Sequence, residues 1–119
     1  MHQLQILHLW KNNISNISVL TNLVNITDLH LSGNKISDIT SLSSLIHITE
    51  LHLTKNLIND ISALQFLVNV QKLYLGQNQI VDISPVSQII GLKYLSFWDN
   101  FISDVYPLRN LQLTNLIIG

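Results

Sequence analysis

The sequence predicts an α/β solenoid: a right-handed coil of short repeats, with a parallel β-sheet on its concave side and short helical or 3-10 turns and loops on its convex side. Three observations predict it. Apolar positions and one asparagine return at a fixed interval, with 22 residues from Asn34 to Asn56 and again from Asn56 to Asn78. Leucines alternate with other residues around Leu51-His52-Leu53, which is the period of a short strand with one buried face. An Ile-x-x-Ile step and then two spaced leucines follow, as in Ile58, Ile61, Leu64 and Leu67. A fixed period of this length marks units that bury their core by stacking on one another.

Repeats start at Leu4, Ile26, Ile48, Val70 and Leu92, with a partial sixth from Leu113. Residues 1–119 therefore read as a single domain, expected to belong to a longer array. Only 21 residues separate Leu92 from Leu113, so one residue is missing from the return segment, where short deletions belong. After each strand comes an asparagine (Asn12, Asn34, Asn56, Asn78, Asn100) whose amide can both donate to and accept from backbone groups as the chain turns away. That column reads as structural. Asp38, Asp60, Asp82 and Asp104, with Asn16 in the first unit, stand just before the return segment, and capping or turn hydrogen bonds account for them better than a cation does. Ser84-Pro85 reads as a helix start, a capping hydroxyl followed by proline at the first helical position. The spacing of Leu42 and Leu45 suits one or two helical turns.

The pattern Leu-x-x-Leu-x-Leu-x-x-Asn-x-Ile-x-Asp-Ile, followed by two spaced leucines, resembles the leucine-rich repeat family from Leu4 to Ile118. Within that family it looks like the class shared by the internalins of bacterial surfaces and the leucine-rich regulatory subunit of protein phosphatase type 1. The resemblance implies a curved, non-catalytic scaffold that binds a protein partner on its concave face. It carries over no ligand-contacting residues, since these lie outside the repeat signature. Members usually have a cap at each end of the array, whereas Leu4, Leu7 and Leu9 at one end and Leu113, Leu116 and Ile118 at the other have none. Open core edges predict end-to-end self-association of the chain on its own.

Composition narrows the function classes. Hydrophobic residues make up 47% and charged residues 11%, yet no apolar run approaches the ~20 residues of a spanning helix, so no membrane insertion is expected. The formal net charge is −1 and the six Lys and Arg are spread along the chain, so nucleic acid is not an expected partner. Without cysteine there is no disulfide framework and no thiolate site. Met1-His2-Gln3 carries no leader pattern, and together with the missing cysteines this leans to an intracellular protein. No cofactor and no catalytic residue are expected, because the outward residues form an open face that neither excludes water nor builds an oxyanion site.

The outward strand positions form columns. One holds Ile6, Asp28, Glu50, Lys72, Tyr94 and Asn115, and the next holds His8, His30, His52, Tyr74, Ser96 and Ile117. Past the strands come Trp10, Ser32, Thr54, Gly76 and Trp98, then Lys11, Gly33, Lys55, Gln77 and Asp99. Tyr74, Tyr94 and Trp98 are expected to converge on the concave side, with Phe101 just around the turn and Trp10 at the opposite end. Exposed rings in a cluster are the usual anchors of protein interfaces, so these residues, with His30 and His52, are the predicted partner-binding set. His8, His30 and His52 also stand beside Asp28 and Glu50, which raises a metal-binding or pH-responsive alternative. Against it, a column is linear whereas a metal needs converging ligands, and a polar surface with a cross-strand Glu50–Lys72 pair is the simpler expectation. The favoured role is that of a regulatory subunit of an intracellular phosphatase, and the alternative is an internalin-like surface adhesin.

Overall fold

The computed structural model describes residues 3–119; Met1 and His2, where the missing leader was read, lie outside them. Six three-residue strands, β1 (Ile6–His8), β2 (Asp28–His30), β3 (Glu50–His52), β4 (Lys72–Tyr74), β5 (Tyr94–Ser96) and β6 (Asn115–Ile117), form one parallel sheet in chain order. The register is one repeat per strand, with Leu7, Leu29, Leu51, Leu73, Leu95 and Leu116 side by side. Alternation puts these leucines on the inner face and the columns of polar and aromatic residues on the outer one.

Behind the sheet the core repeats with the sequence. Ile26, Leu29, Leu31, Ile36, Ile39, Leu42 and Leu45 of the second repeat are all fully enclosed, as are their counterparts in the third. The convex side is made of 3-10 helices at Ser18–Asn22, Thr40–Ser44, Ser62–Phe66, Ser84–Gln88 and Tyr106–Leu108. The last spans three residues where the others span five. In each, a buried leucine or valine closes the turn, as where Leu42 N–H donates to the Ile39 carbonyl at 3.0 Å. Each 3-10 element packs against that of the next repeat, forming the second layer behind the sheet.

Polar groups tie the turns together. Asn56 Nδ2 donates to the carbonyls of Leu53 and Leu31, both at 3.1 Å, while its Oδ1 accepts from Ile36 N–H at 3.1 Å. Asn34, Asn78 and Asn100 repeat the arrangement, so each links its own repeat to the one before. The acidic column opens the 3-10 helices, with Asp38, Asp60, Asp82 and Asp104 accepting from the backbone N–H two residues on. This corrects the reading of Ser84, whose hydroxyl caps nothing: its backbone N–H donates to Asp82 Oδ1 at 2.8 Å, and it is itself the first residue of the helix. A carboxylate on the preceding loop reaches the orphan N–H, which a serine already inside the helix cannot do.

Candidate binding face

The concave face is built from side chains that one sheet register superimposes. The second column becomes a continuous pile of rings: centroids are 4.0 Å apart from His8 to His30, 3.7 Å from His30 to His52 and 4.0 Å from His52 to Tyr74, and Tyr94 of the first column adds a diagonal neighbour 4.7 Å from Tyr74. Strand spacing is close to ring-stacking distance, so aromatic residues at one repeat position have little choice but to stack. Ser96, next in that column, is buried.

Carboxylates run beside the rings. His30 Nε2 lies 2.7 Å from Asp28 Oδ1, His52 Nε2 3.2 Å from Glu50 Oε1, and His8 Nε2 3.9 Å from Asp28 Oδ2. The predicted Glu50–Lys72 ion pair does not form: the two residues are in register, but Glu50 turns along its own strand toward His52. Nor are the ligand-type atoms strung out in a line. Residues two apart on one strand meet those of the next, and one donor atom each from Asp28, His30, Glu50 and His52 lies within 4.8 Å of the others. Burial lowers the His52 pKa, and the nearby Glu50 carboxylate opposes this only in part. Burial also raises that of Tyr74.

Along one side of the ring pile runs an open trough of about 670 Å³, lined by Trp10, Lys11, His30, Lys35, His52 and Lys55, among others. Lysines that look scattered in sequence meet here: Lys11 and Lys55 share one repeat position just past their strands, and Lys35 comes two residues after that position in the repeat between them. Lys11, Gly33, Lys55, Gln77 and Asp99 all adopt positive φ there, between 53° and 72°. The charge along this edge changes from Lys11 and Lys55 to Asp99 at the far end.

The family model for leucine-rich repeats in two copies matches residues 2–44, 24–66 and 68–110. The chain is a leucine-rich repeat protein. No curated protein sequence matches it. Among solved structures, internalin C2 of Listeria monocytogenes superimposes with a TM-score of 0.97 at 32% identity, covering 99% of this chain and 53% of that one. Internalin F of the same organism follows at a TM-score of 0.72 and 32% identity, over 90% of this chain and 38% of its own. A leucine-rich repeat protein of Leptospira interrogans gives 0.80 at 28% identity, over 90% and 30%. The chain thus spans about half the length of internalin C2 and less of the others. The fold is that of a protein-interaction scaffold.

In this leucine-rich repeat protein the predicted residues divide into groups. Trp10, His30 and His52 line the trough, and Tyr74 and Tyr94 continue the pile beyond it. Trp98 does not join the tyrosines. Its ring lies over Gly76, its neighbour in the same column, where the missing side chain leaves room. Phe101 is 67% exposed around the turn, with its backbone N–H donating to the Ile80 carbonyl. Sequence reasoning placed Lys11 and Lys55 in one column without giving them a role, and it missed an exposed aliphatic ridge of Val24, Ile46, Val68 and Ile90, one per repeat at the same position. The repeat spacing alone contained the signal for that ridge. Among the described residues no helix is long and apolar enough to cross a membrane.

Proposed function

We propose that the chain binds a protein partner through its concave face, with an extended acidic segment of the partner in the trough beside Trp10. One observation carries this reading: Lys11, Lys35 and Lys55 gather with an exposed indole around a trough that His30 and His52 of the ring pile also line. Rigid rings bury area at little entropic cost, and lysines at the edge steer an acidic segment toward them. Tyr74, Tyr94 and Trp98 extend the contact area toward the other end, and Phe101 serves as a rim contact. The role is recognition without catalysis.

Of the two roles weighed from the sequence, similarity to two internalins at 32% identity favours the surface-adhesin role over that of an intracellular phosphatase subunit. The experiment is binding of the labelled chain to intact eukaryotic cells and, separately, to their cytosolic extract, using wild type, Trp10→Ala/Lys55→Glu and Tyr74→Ala/Tyr94→Ala. The proposal expects saturable binding to intact cells that falls at least about tenfold in the first variant, the size of a single interface anchor. Equal binding by wild type and both variants would remove the concave face as the site, and capture from cytosol alone would restore the regulatory-subunit role. We also propose that the chain on its own associates end to end, since the strands at both ends of the sheet are unpaired on one side and Leu116, Ile117 and Ile118 are exposed. By the same reading its 119 residues are a segment of a longer array.

A further inference from the structure

We propose that Asp28, His30, Glu50 and His52 form a zinc site on the concave face, bridging β2 and β3. Two imidazole nitrogens and two carboxylate oxygens, one from each residue, lie within 4.8 Å of one another. Tetrahedral zinc with bonds of about 2.0–2.1 Å sets its donors roughly 3.3 Å apart. His52 Nε2 and Glu50 Oε1 already stand at 3.2 Å, and His30 Nε2 and Asp28 Oδ1 at 2.7 Å. An ion would open the shorter pair and draw the widest together by about 1.5 Å.

Two further observations point to a cation. Asp28 Oδ1, His30 Nε2 and His52 Nε2 are closed off from solvent and make no well-formed hydrogen bond: His30 Nε2 meets Asp28 Oδ1 at 2.7 Å and His52 Nε2 meets Glu50 Oε1 at 3.2 Å, both away from hydrogen-bond geometry. Buried polar atoms without partners are costly, and ligation would satisfy all three. Asp28 and Glu50 are also directly opposite each other on adjacent strands, a placement in which like charges repel, and no lysine is paired with either. A dication would neutralise two carboxylates while the imidazoles stay neutral. The mixed donor set selects the metal: calcium and magnesium take oxygen ligands, whereas zinc accepts imidazole and carboxylate together.

Binding has a structural requirement. The rings of His30 and His52 lie 3.7 Å apart with their planes tilted by 31°, so each must turn about χ2 for its Nε2 lone pair to face a common ion. Histidine χ2 has broad wells, and His8 and Tyr74 on either side of the pair would have to shift with the turning rings. His8 is exposed and lies outside the group of four.

The test is zinc titration of the purified chain against a chromogenic chelator, with histidine ring nitrogens followed by NMR and no partner present. Expected are one zinc per chain, Nε2 shifts at His30 and His52, and wild-type affinity in His8→Ala. His30→Ala/His52→Ala should lose at least about a hundredfold in affinity, since removing even an outer partner of a ligand costs ten- to a hundredfold. Asp28→Asn/Glu50→Gln, which preserves side-chain shape and the ring pile, should lose at least about tenfold. The proposal is overturned if the wild type takes no zinc from the chelator, if either folded double variant binds like wild type, or if the shifts fall on His8 or another histidine outside the group of four.

Discussion

A pair of residues one repeat apart shows how finely neighbouring repeats are matched. Gly76 does not adopt positive φ, so its backbone would accept a side chain; the obstacle is the Trp98 ring, with Cε2 2.6 Å from where a Cβ would stand. Gly76→Ala should therefore turn the indole out of its seat. In a Trp10→Phe background the emission should shift to the red, with a stability loss of about 1–3 kcal/mol from overpacking. Unchanged emission would mean that the sheet yields instead of the ring. The small-then-large order of Gly76 and Trp98 was visible in the column, yet Trp98 was read as a partner of the tyrosines. Columns give neighbours, and the direction in which a ring leans depends on the space beside it.

At the scale of an element, each 3-10 helix is opened by a side-chain oxygen that accepts the backbone N–H two residues later. For Asp38, Asp60 and Asp82 the first cause of a lowered pKa is that backbone hydrogen bond, placing them below the usual 3.8. A carboxyl depressed in the folded state contributes stability that is fully present above its unfolded pKa and is lost as pH falls through the folded value. Acid should thus weaken the wild type progressively below about pH 4. Asp38→Asn/Asp60→Asn/Asp82→Asn keeps an acceptor at each turn without titrating, so its melting temperature should fall less across that range. A parallel fall in both proteins would place the acid sensitivity elsewhere. These turns were legible because Asp recurs at one position before Thr or Ser. Their 3-10 form was one of two open options, and the serine cap was misplaced because Asp82 takes the Ser84 N–H and leaves Ser84 as the first residue inside the helix. On the concave side, registry was fully legible, but the choice of Glu50 between Lys72 and His52 was not. That choice is a side-chain rotation, which a repeat pattern does not encode.

The whole molecule is a line of repeats, 39 Å in its longest extent, with each repeat touching its neighbours. Its proposed end-to-end association should appear in sedimentation velocity as a weight-average mass that rises with concentration, and Leu116→Lys/Ile118→Lys should return the chain to the 13.5 kDa monomer. A concentration-independent monomer in the wild type would show that the open ends do not pair. The asparagine column gives this line a direction. Each of Asn34, Asn56, Asn78 and Asn100 reaches back to the repeat before it, taking an N–H there and giving its own to a carbonyl there, and none reaches forward. Losing the last repeat would leave every remaining asparagine with its partners, whereas losing the first would strip Asn34 of the Leu9 carbonyl and the Ile14 N–H. A chain emerging from the ribosome would therefore find, at each new turn, the polar seat for the next asparagine already in place.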